Sequence, residues 1–456
     1  MKPSARFRAL HFVGLGGAGM SALAETFLEL GFSVQGSDKV ESPSLERLRT
    51  KGIKAFVGHA ASQIQPGSDA VIYSAAVNSD NPELVRSREL GIPVVRRADL
   101  LGLLMGGRHG LAVAGTHGKT TTSGMLAHIL QAAGTDPGWV IGGAWSGCAA
   151  GHAGKGEYLV VEADEYDRAF LSLSPVSALV TNIDSDHLDV YGTQQAVDDA
   201  FVSFLHQLPF HGVAIVNAED GGVQRVLKRL QGRVRTFGFS TGDYQARDLS
   251  ADSSGGGFSI WKTGKNLGRV QLKVPGRHNI SNALAAAALA LEEEIPFESV
   301  VKGLSEFPGM RRRLEHIGTK AGITVMDDYA HHPAEVSAAL QAARMVAKGR
   351  LAVLFQPHLF SRTRQLSEEF ARAFLGCDLL YVLPVYAARE KPLSGVEGDL
   401  IVAAAGRLGH PAATFLPKES SPAQELARNL RSGDLCLTMG AGDVGDLAPA
   451  ILEAIA

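Results

Sequence analysis

The run Leu111-Ala112-Val113-Ala114-Gly115 passes without a break into Thr116-His117-Gly118-Lys119-Thr120-Thr121-Thr122. The apolar residues read as a buried strand, and the polar, glycine-bracketed turn leads into an apolar-periodic stretch, 121–133, that reads as a helix. A strand feeding a helix through such a turn gathers backbone N–H groups and a helix N-terminus around one small volume, which suits phosphate oxygens. Lys119 adds a point charge for the β and γ phosphates of a nucleotide, and Thr120 a hydroxyl for Mg2+. The pattern GxxxxGK[ST] is not met in full, because Val113 stands at its first glycine position. A glycine turn with an incidental lysine is the competing reading, and the strand and helix signals on either side count against it.

The rest of the chain is organised around the same alternation. Before the motif, ALHFVGLG, FSVQGSD, DAVIYSAAV and IPVVRR read as strands, with helices near 20–30 and 44–51 between them. Gly106-Gly107 marks a break. The motif then opens a second α/β unit that continues through EYLVVEAD, SALVTNID and VAIVNAED, a Gly/Ser-rich hairpin region near 252–268, and an Ala-rich helix near 281–294. Pro308-Gly309 makes a second linker, after which ITVMDDYA, a helix over 333–346, LAVLFQP, LLYVLPVY and DLCLTMGAG form a third alternating unit. The expected domains are 1–106, 107–308 and 309–456. Pro333 fits the first turn of its helix, where no N–H is needed.

Lys+Arg 44 against Asp+Glu 47 leaves no basic excess, so nucleic acid is not an expected partner. Cys148, Cys377 and Cys436 are scattered without CxxC spacing, which disfavours a disulfide framework or a zinc site and fits a reducing cytoplasm. Lys2, Arg6 and Arg8 precede an apolar run as in a secretory signal, but Gly14, Gly16, Gly17, Gly19 and Glu25 break that run. A strand, a tight turn and a helix explain it better. No stretch of about 18 apolar residues suggests a membrane span.

Two further clusters carry chemistry. Gly14-x-Gly16-Gly17-x-Gly19, with Asp38 downstream, spells a dinucleotide fingerprint and taken alone supports an NAD-dependent dehydrogenase. The same glycine turn binds any pyrophosphate, and a dehydrogenase has no need of the second cradle at 115–122. Glu162 ends the strand of EYLVVEAD and His187 follows that of SALVTNID, so both reach the strand ends where α/β sheets bind ligands. By chemistry alone Asp184, Asp186 and Asp189 are equal candidates for a metal. Asn279, Ser281 and Asn282 stand at a helix start, where such residues ordinarily cap. Arg311, Arg312 and Arg313 ordinarily form a solvated face.

With these residues in place the chain resembles the Mur ligases, whose central domain carries a G-T-x-G-K-T-T loop. HFVGLGGAGMSALA, VVEADEYDRAFL, TNIDSDHLDVYG, PGRHNISNALAA, DDYAHHPAEV, FQPHLFSRTR and MGAGD extend the likeness over nearly the whole sequence. The resemblance implies an α/β fold of three domains: an N-terminal Rossmann-like UDP-binding domain, a central P-loop ATPase-like domain and a C-terminal Rossmann-like domain. It implies an ATP-dependent ligase that attaches L-alanine to the lactoyl carboxylate of UDP-N-acetylmuramate through an acyl phosphate, with a ligase for a preformed peptide as the alternative. A nucleotide-gated binding protein without ligation is a further reading.

By the same resemblance, Gly115, Thr116, His117, Gly118, Lys119, Thr120, Thr121, Asn279, Asn282 and Arg313 bind ATP. Thr120, Glu162 and His187 hold Mg2+ or Mn2+. Gly16, Gly17, Gly19, Met20 and Ser21 take the UDP diphosphate, and Asp38 and Ser74 the uridine. Lys119, Glu162, His187, Arg313 and Asp328 carry the catalytic role. Arg362 pairs with the alanine carboxylate, flanked by Tyr329, His331 and His332. The chain departs from the family at Leu314, where a Phe is usual, and at Leu359, where a second arginine is frequent. A monomer or weak homodimer acting on small molecules is expected.

Overall fold

The apolar runs become three separate sheets in a computed structural model that describes residues 7–185, 188–252, 255–388 and 390–455. By its internal contacts the chain forms two compact units. One holds the residues up to Leu249 with Phe258–Gln271 and Ile280–Phe307; the other holds Ser250–Gly257, Leu272–Asn279 and the chain from Pro308 on.

The first unit contains a five-stranded sheet in the order Lys54–Val57, Ser33–Asp38, Ala9–Val13, Ala70–Tyr73, Val94–Arg96, with every neighbour pair parallel. Chain order reverses at Ala9–Val13, so a crevice is expected beyond Val13, where the glycine turn stands. The ten-stranded sheet has His109–Ala114 between Tyr158–Glu162 and Ser177–Val180, all parallel. It continues through Val213–Asn217 and Arg233–Gly238 on one side and Gly138–Val140 on the other. Leu111, Ala112, Val113, Val160, Val161, Ala178 and Leu179 are fully buried, as parallel strands covered on both faces must be. Glu162 and the cradle motif thus leave neighbouring strands at the same sheet edge.

The second unit carries a six-stranded sheet in the order Glu315–Lys320, Ile323–Asp328, Leu435–Met439, Leu351–Phe355, Leu379–Val382, Ala413–Phe415. The first pair is antiparallel and the rest parallel. The helix Pro333–Val346 is as the sequence suggests, with His332 and Glu335 forming a reciprocal cap at its start.

Two helix starts differ from expectation. The cradle helix begins at Lys119 rather than Thr121, and the Ala-rich helix at Arg277 rather than Ser281. Asn279 and Asn282 therefore lie inside that helix, past its N-cap position. All three cysteines are free, Cys377 and Cys436 being buried. Among the described residues no helix is long and apolar enough to cross a membrane.

Candidate active site

The cradle turn is tied to the end of the neighbouring strand. The Thr116 amide donates to the Asn182 carbonyl (3.1 Å), the His117 amide to Asn182 Oδ1 (2.8 Å), and the Thr181 hydroxyl and Asn182 Nδ2 to the His117 carbonyl (2.6 and 3.0 Å). Gly115 has φ +128°, and a Cβ there would come within 2.1 Å of Thr181 Oγ1. Gly118 caps the helix in the left-handed region, φ +84°, and a Cβ there would meet Asn282 Oδ1 at 2.7 Å. Only glycine permits these approaches. A helix starting at Lys119 leaves the first-turn amides without preceding carbonyls, and the 14-residue helix adds its dipole. A cradle that a Cβ would fill, under unpaired amides, fits the phosphates of ATP.

Lys119 Nζ lies within 2.7 and 3.0 Å of the two carboxylate oxygens of Glu165, and it also donates to the carbonyls of Gly115 (2.6 Å) and Thr116 (3.2 Å). Burial works against the ammonium, yet the Glu165, Asp164 and Glu162 carboxylates outweigh it and hold Lys119 above its ordinary pKa. The Thr120 hydroxyl donates to Glu162 Oε1 at 3.1 Å, while Glu162 Oε2 accepts the Gly142 amide at 2.7 Å. A hydroxyl and a carboxylate converging at the cradle are hard oxygen donors of the kind Mg2+ takes. His187 and Asp186 lie outside the described residues. Asp184 is exposed; its amide donates to Thr116 Oγ1 at 2.9 Å and its carboxylate stands 3.9 Å from His117 Nε2. Among the described residues no cluster of three metal-ligating side chains forms.

At the other glycine turn, the Gly14 and Leu15 amides donate to the Ser37 carbonyl (2.9 and 2.8 Å), and the Gly16 amide donates to Asp38 Oδ2 (2.7 Å). Asp38 thus pins the turn, and Ser74 stands beside Gly14. Gly17 caps the helix Ala18–Glu29, whose first-turn amides include Gly19 and Met20. Met20 is 2% exposed and part of the core, so it can face a ligand only through its amide. Ser21 turns its hydroxyl onto the Ala18 carbonyl and its amide onto the Gly17 carbonyl. Arg97 lies directly over Gly19, where a Cβ would sit 2.2 Å from its Nη1, and its Nη2 pairs with Asp164 Oδ2 at 3.1 Å.

The second unit resolves the three arginines. Arg311 is exposed. Arg312, with φ +57°, clamps Asp327 through Nε (3.0 Å) and donates to the carbonyls of Gly440 and Gly442 (2.7 and 3.2 Å). Arg313 lies over the Tyr329 ring, 5.5 Å from its centroid. Asp328 is 5% exposed and accepts the Leu314 and Ala330 amides, each at 2.8 Å. Burial pushes its carboxyl up to about 6, against the pull of Arg313 and the two amides.

Tyr329, His331, His358 and Tyr386 form a row of ring contacts at 5.3, 5.7 and 5.8 Å. Burial holds the His331 imidazole below its ordinary pKa; Glu335 pulls the other way and the Arg362 guanidinium reinforces burial. Arg362 Nη1 is buried and without a hydrogen-bond partner among the described residues. Leu359 is held at φ +72° as the N-cap of the helix Phe360–Phe374, which carries Arg362. Asn279 Nδ2 donates to the Pro275 carbonyl at 2.6 Å.

The Mur ligase family catalytic-domain model matches residues 9–109, the Mur ligase middle domain 113–290, and the Mur ligase glutamate ligase domain 312–442. A UDP-N-acetylmuramate–L-alanine ligase of Solidesulfovibrio magneticus is 44% identical over 451 residues, 98% of each chain. One from Trichlorobacter lovleyi is 42% identical over 97% of this chain and 98% of its own. The chain belongs to the Mur ligase family.

Among solved structures, the UDP-N-acetylmuramate-alanine ligase of Thermotoga maritima is 32% identical with TM-score 0.84, covering 98% of both chains. A murein peptide ligase of Psychrobacter arcticus is 25% identical with TM-score 0.75 over the same coverage. A Mur ligase of three α/β domains is not a dehydrogenase, so the fingerprint at Gly14–Gly19 does not mark an NAD enzyme. In this Mur ligase three groups escaped the sequence reading: Glu165 on Lys119, Arg97 on the glycine turn, and His358 with Tyr386 beside His331. Glu165 and His358 lay inside quoted motifs, but nothing local singled them out. Arg97 meets Asp164 from 67 residues away, a pairing that no local pattern encodes.

Proposed function

We propose that this Mur ligase joins L-alanine to the lactoyl carboxylate of UDP-N-acetylmuramate, converting ATP to ADP and phosphate. The observation that carries the reading is the Arg97–Asp164 ion pair, 3.1 Å, which joins the arginine over one glycine turn to the loop that follows Glu162 and bears Glu165 at the other. Two anion cradles tied in this way suit a reaction between two phosphorylated substrates. The relatives at 42–44% identity over nearly the full chain point to alanine as the third.

A carboxylate oxygen is a poor leaving group, and ATP converts it into phosphate. One oxygen of the lactoyl carboxylate attacks the γ phosphorus and ADP departs. The amine of alanine then adds to the acyl carbon, and the tetrahedral adduct collapses with loss of phosphate. The first step depends on position and charge: the amides after Gly118 and the Lys119 ammonium meet the charge that develops on the phosphoryl oxygens. A bound Mg2+ supplies charge neutralisation of the phosphates. Thr120 and Glu162 would hold it, with His187 as a third ligand by family likeness.

In this reading the turn Gly16–Gly19 and the Met20 amide take the diphosphate, with Ser21 shaping the first helical turn. Asp38 and Ser74 stand at the uridine. His117, Thr121, Asn279, Asn282 and Arg313 bind the nucleotide, and Asp328 holds the backbone that carries Arg313. Arg362, its Nη1 unpartnered among the described residues, pairs with the alanine carboxylate beside Tyr329, His331 and His332. The domains run 1–106, 107–308 and 309–456, and the enzyme works in the cytoplasm as a monomer or weak homodimer.

The test is ADP release from ATP with UDP-N-acetylmuramate and, in turn, L-alanine, glycine, L-serine and the tripeptide L-Ala-γ-D-Glu-diaminopimelate. L-Alanine is expected to support turnover best, with glycine and serine leaking because a methyl in a pocket discriminates by only about 1–3 kcal/mol. Turnover with the tripeptide alone would contradict the reading.

A further inference from the structure

The cradle's lysine already has a full set of partners. An ammonium has three donors, and Lys119 Nζ is surrounded by four oxygens at 2.6–3.2 Å: two from Glu165, one from Gly115 and one from Thr116. The pair is enclosed, with Glu165 only 3% exposed and the Lys119 side chain 14% exposed. A phosphate reaching this ammonium must therefore displace a partner. Of the four oxygens, only those of Glu165 belong to an ionisable group; burial and Asp164 push its carboxyl above the ordinary range, and the Lys119 ammonium pulls it back towards the charged form.

Glu165 is also held where it is. Asp164 Oδ1 accepts the Tyr166 amide at 3.1 Å, and Asp167 and Arg168 follow with φ of +53° and +55°, a pair of left-handed residues other than glycine. The Tyr191 hydroxyl donates to the Glu165 carbonyl at 2.6 Å, and Arg97 holds Asp164 from the first domain. Left-handed conformations outside glycine persist only where the surroundings enforce them. The backbone under Glu165 is thus fixed by partners on three sides.

We propose that Glu165 is the positioning residue of Lys119: an internal counter-anion that fixes the ammonium at the base of the cradle and competes with the terminal phosphates of the nucleotide for it. The proposal rests on the reading that the cradle takes ATP. It has a consequence that a merely structural glutamate lacks, because affinity and turnover move in opposite directions. Without the competitor, Lys119 is open to phosphate and nucleotide binds more tightly. Without the anchor, it is no longer held in line for transfer.

The test uses the full chain and a non-hydrolysable ATP analogue with Mg2+, titrated calorimetrically without UDP-sugar, alongside steady-state ADP release. For Glu165→Gln the Kd is expected to fall roughly 10-fold while kcat falls by at least about 10-fold. In a Lys119→Gln background the same substitution should leave Kd unchanged. Glu165→Asp keeps the charge without the two-point reach, and is expected to fall between wild type and Glu165→Gln in both quantities. It carries the test if the glutamine variant does not fold. Weaker or unchanged binding in a variant that melts like wild type would overturn the proposal while leaving the cradle reading intact. Failure of the wild type to bind the analogue would overturn both.

Discussion

Replacing Gly115 with alanine perturbs the cradle at its tightest point. The new Cβ would stand 2.1 Å from Thr181 Oγ1 and 3.0–3.1 Å from the Thr181 and Asn182 amides, at a residue with φ +128°. Three costs follow. A side chain at positive φ costs about 1–2 kcal/mol. Displacing the Thr181 hydroxyl from the His117 carbonyl loses about 1 kcal/mol, and crowding a packed site costs about 1–3 kcal/mol.

The sum of about 3–6 kcal/mol is below the stability of most domains, so the protein is expected to fold with a displaced cradle. If about half the strain is relieved by moving the loop off its phosphate-binding geometry, the Kd for MgATP rises about 10- to 150-fold. Gly134→Ala is the control, because φ there is +74° but nothing lies within 4 Å of the new Cβ. It should lose about 1–2 kcal/mol of stability with unchanged nucleotide affinity. A double variant with Thr181→Ala should recover part of the loss. Urea melts and calorimetric titration read both quantities. A Gly115→Ala protein that binds MgATP within two-fold of wild type, and melts with it, would refute the geometry argued for the cradle.

Arg312→Ala leaves Asp327, 4% exposed, without its cation and frees two loop carbonyls, so it should lower stability by about 2–4 kcal/mol in urea melts. Arg313→Ala should melt like wild type and show the loss in kcat. Arg97→Ala should raise the KM for UDP-N-acetylmuramate at least about 10-fold, in a protein that still folds. A carboxyl whose pKa is raised by folding favours the native state at low pH and loses that favour as pH rises through the folded value. Asp328, at about 6 against an ordinary 3.8, should therefore make wild type less stable relative to Asp328→Asn on going from pH 4 to pH 7.5. The change in that difference is about 2–3 kcal/mol, read from paired urea melts.

The residues that could be read from the sequence were those whose chemistry is local. The cradle lies within eight consecutive residues, and Glu162 ends a strand recognisable by its own apolar run. Other roles depend on partners far along the chain. Arg312 and Arg313 are adjacent, chemically alike and both set over the Tyr329 ring, at 5.0 and 5.5 Å, and only the left-handed backbone at Arg312 and its reach to Asp327 and Gly440 decide that it clamps the fold. Met20 sits in a glycine-turn motif yet faces the core, because the helix begins two residues earlier than its apolar pattern suggests. Glu165 is one of several acidic residues in EADEYD, and its distinction is a lysine 46 residues away.

The account turns on the cradle delivering a phosphoryl group to a carboxylate. UDP-N-acetylmuramate labelled with oxygen-18 in its lactoyl carboxylate, incubated with ATP, Mg2+, L-alanine and the enzyme, tests this directly by mass spectrometry of the products. The expected result is one labelled oxygen in the released phosphate and the other in the new amide, with release dependent on alanine. Unlabelled phosphate accompanying an alanine-bearing product would contradict it.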